Sequence, residues 1–358
     1  MTSTKIPWTT KIWISTERNQ DLEVTEMKRL TTALTVLLAL TIAVEATAAE
    51  YEIKFATLAP DGSLWMKELQ KFDSRVQQAT NGEVRFKFYF GGIAGDDMQV
   101  VEKLKSGQLH AAALTGVGLG SIVPPFRIME IPFTYKSYKE YDFVLRKLSK
   151  WFKKKFNEKG FIVMGWGDTG FVYLLSKLKL ASVDDIRKAK PWAWDVDEVA
   201  VAAFKAFDIN PTLLSLESVA TNLDAGTIDT VYMAPAAAIA FSWHKQVKYC
   251  VDFPLTNGSG ALVITKAYWD TLPENHRKTI KLTAKETMKS FRKKTRRENT
   301  RALKALKDKG IEFIAVTASD IEEFQTIGAK AADSLTGSFF SKKLLAKVRS
   351  LLAKHRAQ

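Results

Sequence analysis

The chain has 358 residues, 46% of them hydrophobic and 26% charged, a balance that specifies a globular protein with room for two lobes of ordinary domain size. Its lone cysteine, Cys250, excludes an internal disulfide, and its four scattered histidines, without HExxH or Cys partners, exclude a zinc site of the usual spacing. The formal net charge of +14 raises nucleic acid or an anionic membrane as partners, but much of the excess lies between Arg277 and Lys309, where apolar residues recur at near-helical spacing with no interleaved aromatics. That stretch reads as one long helix with a solvated basic face.

The chain opens with a leader pattern. Met27-Lys28-Arg29 is basic, Leu30 to Val44 is apolar, and Ala46-Thr47-Ala48 has the small-x-small form of a signal-peptidase site. Residues 27–49 read as a signal peptide and 1–26 as a disordered, mis-called start, so the mature chain is expected in the periplasm.

Glu50 to Leu58 alternates apolar and polar and reads as a strand. Pro60-Asp61-Gly62 turns the chain, and Ser63 caps a helix with Trp65, Met66, Leu69, Phe72 and Val76 on one face. Asn81-Gly82 leads into a strand from Glu83 to Phe90, then a helix stopped by Gly107, then a buried-type strand at Leu109 to Leu114. Ile128 to Phe133 reads as extended, and Ser137 with Glu140 as a capping box for a helix through Leu148. Phe161 to Gly165 and Phe171 to Leu175 read as two strands.

The stretch from Val183 to Pro235 carries most of the functional signal. Its order is a capped loop, a short aromatic strand with Trp192 and Trp194, a helix, a strand, a helix, Gly226, and a strand with Tyr232 and Met233. Such a βαβαβ run builds a parallel sheet with ligands at the carboxyl ends of its strands. Tyr249 to Phe253 and Gly260 to Thr265 are then strands, and Ser319 with Glu322 caps a late helix. The chain thus crosses between lobes more than once. Lobe I is expected to hold residues 50–168 and 254–297, and lobe II residues 169–253 and 298–358, with the ligand between them.

Three motifs compete. Gly165 to Gly170 matches G-x-G-x-x-G, but FVYLL follows it where a dinucleotide site needs a helix N-terminus. The glycines read instead as a crossing between lobes with close approach to a ligand. The Gly116 to Gly120 run sits at a strand end facing the cleft. Asp195, Asp197 and Glu198 read as favourable charge at a helix N-terminus, ahead of metal ligation. No nucleophile elbow is present, so no enzyme is expected.

FATLAPDGSLWMKEL, TNGEVRFKFYFGGIAGDD, EKLKSGQLHAAALTG, DDIRKAKPWAW and LDAGTIDTVYMAP, in that order, resemble the extracytoplasmic solute-binding proteins of TRAP transporters, the DctP type. The resemblance implies an α/β fold, a two-lobe periplasmic-binding-protein architecture with a hinged cleft and a long helix bracing both lobes. It implies no cofactor and no catalysis. Its partners would be a small organic ligand and the small and large membrane subunits of the transporter, with no nucleic acid. Such proteins usually hold an organic acid with arginine, the natural carboxylate clamp. Trp192, Val172 and Ala234 stand where that pattern has Arg, Arg and Asn. The expected pocket is therefore apolar and aromatic, lined by Trp192, Trp194, Trp166, Phe171, Tyr173, Tyr232, Met233 and Gly116, for an apolar or aromatic ligand, a monocarboxylate included. A quaternary amine could stack on a tryptophan. The alternatives are a ligand sensor or lipid-delivery scaffold on the same fold, and a dinucleotide-dependent enzyme using Gly165 to Gly170.

Overall fold

The computed structural model describes residues 49–357. The leader pattern and the segment before it, residues 1–48, lie outside the described residues. In chain order, β1 (Tyr51–Thr57), α1 (Leu64–Ala79), β2 (Val84–Tyr89), α2 (Asp97–Lys105), β3 (Ala111–Thr115) and α3 (Gly116–Ile122) form the first αβ run. Next come α4 (Tyr138–Glu158), β4 (Phe161–Ser176), α5 (Val183–Arg187), β5 (Trp192–Trp194), α6 (Glu198–Ala206), β6 (Thr212–Leu214), α7 (Val219–Ala225), β7 (Thr230–Met233) and α8 (Pro235–Ala240). The chain closes with β8 (Tyr249–Val251), β9 (Thr256–Thr265), α9 (Lys266–Thr271), α10 (Glu274–Asp308), β10 (Glu312–Ile314), α11 (Ala318–Ser334) and α12 (Lys342–Arg356).

Local chemistry starts several helices where expected. Ser63 accepts from the Met66 amide, Asp96 and Gln99 form a capping box, and Ser137 and Ser182 accept from Glu140 and Asp185. Each such cap contributes about 1 kcal/mol. The late helix begins two residues earlier than the Ser319 reading: Thr317 is its cap, boxed with Asp320. Pro124 to Glu130 is a 3-10 helix, so the first half of the run at Ile128 to Phe133 is helical and not extended. Pro124 and Pro125 occupy its first positions, where absent amide hydrogens cost nothing.

The main sheet has the order β10-β8-β4-β9-β3-β1-β2, with β7 also paired to β4. β1 lies parallel between β2 and β3, while β9 runs antiparallel to both β3 and β4. β4 is one continuous strand of 16 residues, not two. Its first part pairs with β9 and its last four residues pair with β7. β4 therefore joins the β9 side of the sheet to the β7 and β8 side. Of the central βαβαβ run, β5 and β6 pair in parallel as expected. β7 instead joins β4 antiparallel and meets the β5 side through a Pro191–Thr230 bridge and the stacking of Tyr232 on Trp192.

α10 is 35 residues long, about 50 Å at helical rise. Ile280, Ala284, Met288 and Phe291 enter the core around β1 and β2, and Leu306 enters the core around Trp192 and Trp243. One helix thus braces both halves. It also explains the glycine motif. A Cβ on Gly165 would sit 2.6 Å from Met288 Cγ, and one on Gly167 would sit 2.8 Å from Met288 Cε. The glycines bring α10 onto the sheet, and they lie inside a continuous strand, with no helix N-terminus after them to make a phosphate loop. Arg296 pins this packing. Its Nη1 donates to Asp142 on α4 at 2.7 Å, and its Nη2 donates to Asp168 on β4 at 2.5 Å. The guanidinium also lies 4.3 Å from the Tyr138 ring centroid.

Cys250 is fully buried in β8. Burial, then the nearby Asp252 carboxylate, pushes its thiol up to about 12. Because the thiolate is the nucleophile, Cys250 is expected to resist iodoacetamide at neutral pH in the folded protein and to react on unfolding. Fast stoichiometric labelling of the native chain would contradict this packing.

Candidate functional site

A cavity of about 310 Å³ lies at the carboxyl ends of β1 and β3, against the Trp192–Phe207 and Tyr232–Phe241 stretches. Its apolar wall includes Phe133, Val172, Leu174, Trp194, Phe204, Phe207 and Met233. Thr169, Ser259, Arg127, Glu130 and Asp197 supply polar edges.

The structure brings together five of the eight expected site residues, Trp192, Trp194, Tyr232, Met233 and Gly116, on this cavity. It places Trp166, Phe171 and Tyr173 elsewhere. The reason is the two-residue period of a strand combined with a register shift in β4 between Asp168 and Gly170. Thr169 lies on the wall before the shift is complete, and Val172 and Leu174 lie on it afterwards. Phe171 turns to the other face, where it packs on the Tyr138 ring at 4.5 Å. Tyr173 follows it to that face. Trp166 stacks on Phe126 at 5.2 Å, and its indole N–H donates to Ser149 Oγ at 2.7 Å.

Trp192 is only 1% exposed and presents little to a ligand. Its indole N–H donates to the Leu214 carbonyl at 2.9 Å, its ring stacks on Tyr232 at 4.9 Å, and Trp243 meets it edge-on. It is the rigid backing of the wall, and Tyr232 is the layer it supports.

The polar centre was not read from the sequence. Arg127, on the 3-10 turn, is 4% exposed. Its Nη1 contacts Glu130 at 2.9 Å and its Nη2 donates to Asp197 at 2.5 Å. Asp197 is also the N-cap of α6, accepting from the Ala200 amide, and its other oxygen accepts from the Tyr232 hydroxyl at 3.2 Å. Glu130 accepts from the Ser259 amide at 2.6 Å. Burial pushes the Glu130 carboxyl up, with Arg127 pulling the other way. Burial also works against the Arg127 charge, but the Asp197 and Glu130 carboxylates outweigh it. One guanidinium therefore faces two carboxyl groups, both in direct contact with it.

The glycine run makes room for this cluster. A Cβ on Gly116 would fall 2.0 Å from the Glu130 carboxylate, and one on Gly120 would fall 2.5 Å from Arg127 Cδ. Asp97 is buried under α3, accepting from the Thr115 and Gly118 amides at 3.0 Å each. Among the described residues no cluster of His, Cys, Asp and Glu has the spacing to hold a metal ion.

A mostly apolar chamber at strand ends, with a few polar groups at its edge, has the form of a small-molecule site. The chain belongs to the bacterial extracellular solute-binding proteins of family 7, DctP; the family's model matches residues 55–338. It is similar to the C4-dicarboxylate-binding periplasmic protein DctP of Rhodobacter capsulatus, at 23% identity over 83% of this chain and 90% of that one. The fold matches the sugar acid binding protein of Advenella mimigardefordensis in complex with galactonate, at TM-score 0.79 and 22% identity over 85% of this chain and 98% of that one. It also matches a TRAP periplasmic solute binding protein of Ochrobactrum anthropi, at TM-score 0.76 and 24% identity over 86% and 96% of the two chains. The family is one of periplasmic transport proteins of the TRAP type.

Proposed function

We propose that the mature chain captures a small neutral solute of apolar or aromatic character in the periplasm and delivers it to the small and large subunits of a TRAP-type membrane transporter. The leader pattern at residues 27–49 supports export by a cleaved signal. In this reading the lobes divide near Asp168 and Phe253, and β4, paired with β9 along its first part and with β7 along its last, crosses that division as the strand about which the halves close. Trp194, Tyr232, Met233, Phe204 and Val172 form the contact wall in this reading, Trp192 backs it, and Gly116 supplies backbone.

The observation that carries the reading is the occupancy of Arg127. The relatives named above have a dicarboxylate and a sugar acid in their names. An acid of that kind needs a free cation, ideally a bidentate guanidinium. Among the described residues Arg127 is the one basic side chain on the cavity wall, and Glu130 and Asp197 already hold it. A dicarboxylate would meet carboxylates and apolar surface. The same imbalance ranks an aromatic cation second, ahead of any acid.

The test is a thermal-shift series with aromatic ligands matched in size and differing in charge: alcohols, carboxylates and quaternary amines, with succinate and galactonate as references. A neutral aromatic at roughly 100 times its Kd is expected to raise Tm by about 5 °C. Succinate or galactonate raising Tm while the neutral series does not would overturn the assignment.

A further inference from the structure

A second hollow, of about 670 Å³, opens between α4 and α10 over Trp166 and shares no lining residue with the cleft cavity. Its charge pattern is one-sided. α4 and α10 together carry 20 of the chain's 53 lysines and arginines but only 7 of its 39 acids. Arg146, Lys150 and Lys153 line it from α4 at helical spacing, and Arg292 lines it from α10. Lys281 and Lys285 fall on the Arg292 stripe of α10, eleven and seven residues earlier. The single acid on the lining, Asp142, is already held by Arg292 and Arg296.

Like charges therefore face each other along the groove. Crowding of its ammonium by protein, and then the Lys281 and Lys285 charges, push Lys153 down from the ordinary lysine value. Nearby Glu286 gives no relief, since it pairs with Arg75. Trp166 donates to Ser149 Oγ at the lining, and among the described residues that hydroxyl has no acceptor for its own hydrogen. Facing cations around an open groove, with hydroxyl and guanidinium donors between them, are the complement of a multiply charged oxyanion.

We propose that this groove binds a phosphate-type anion, either the phosphate of a lipid headgroup or a free phosphate-bearing solute. In the first case it would hold the protein on the outer face of the inner membrane, near its transporter.

The experiment uses the full mature chain in two arms: co-sedimentation with phosphatidylglycerol–phosphatidylcholine vesicles, and calorimetry with inorganic pyrophosphate. The groove variant is Lys150→Gln with Lys153→Gln and Lys281→Gln. The control, Lys342→Gln with Lys343→Gln and Lys347→Gln, removes equal charge from α12. All six lysines are exposed, so both variants are expected to fold, with circular dichroism as the check. Binding in either arm is expected to weaken about a hundredfold in the groove variant and less than about threefold in the control. Vesicle binding without pyrophosphate binding assigns the site to a lipid headgroup, and pyrophosphate binding assigns it to a soluble phosphate. Equal weakening in both variants, or no binding of either probe by the unaltered chain, overturns the proposal.

Discussion

Arg296→Met is expected to lower the unfolding free energy by about 3–5 kcal/mol at neutral pH, the range for stranding one partner of a buried ion pair. Asp168 is fully buried, and Arg296 is its one charged hydrogen-bond partner among the described residues. Even in the intact protein burial pushes the Asp168 carboxyl up, with Arg296 opposing. Without Arg296 the folded pKa rises further above the unfolded value, so the folded state binds the proton more tightly than the unfolded chain. The sign follows: the deficit is largest at neutral pH and shrinks as pH falls through the raised folded pKa. Urea titrations of the variant between neutral and mildly acidic pH measure it. Asp168→Asn added to Arg296→Met should recover part of the loss, because the two residues are directly coupled. A single variant within about 1 kcal/mol of the parent at neutral pH would mean that Arg296 does not hold β4 against α4.

Trp192→Ala is expected to be almost as costly, at about 3–5 kcal/mol of stability, since it empties a site that is 1% exposed and unseats Tyr232 and Trp243. Ligand affinity should fall with it by about 1–3 kcal/mol, through collapse of the wall rather than loss of a direct contact. The conservative Trp192→Phe retains stacking on Tyr232 but loses the hydrogen bond to Leu214, and should recover most of the stability. Denaturant melts and ligand titrations of the pair separate the two effects. A Trp192→Ala chain that melts like the parent but binds weakly would make Trp192 a direct ligand contact instead of a support.

The contrast between these two positions shows what the sequence carried. Alternation in the Tyr51 and Val84 strands and the caps at Ser63, Ser137 and Ser182 are local signals, and local chemistry decides those elements. β4 was not legible as one strand because Gly165, Gly167 and Gly170 interrupt its apolar run. Their reason lies on α10, more than a hundred residues later, at Met288 and Asn299. The same strand misdirected the site. Phe171 and Tyr173 are the more conspicuous side chains, but the shift at Asp168/Gly170 puts the smaller Val172 and Leu174 on the wall.

Arg127 left a fainter trace. It sits after two prolines in an apolar run, just past the end of a glycine helix, with nothing nearby to forecast a partner 70 positions away. Asp197 was legible as a helix cap and is one, but its second oxygen and its charge serve the cavity. A capping role and a site role fall on one carboxylate because the N-terminus of α6 points at the cleft. The resemblance drew attention to Val172 and Trp192 as apolar positions; Val172 lies on the cavity wall, and Trp192 stands behind it at 1% exposure.

Native mass spectrometry of the chain purified from its own cells, followed by denaturing release, tests the central claim most directly. The account predicts one bound molecule that is neutral and apolar or aromatic, small enough for a cavity of about 310 Å³. A released dicarboxylate or sugar acid would contradict it, because Arg127 would then have to leave Asp197 and Glu130 to hold that ligand.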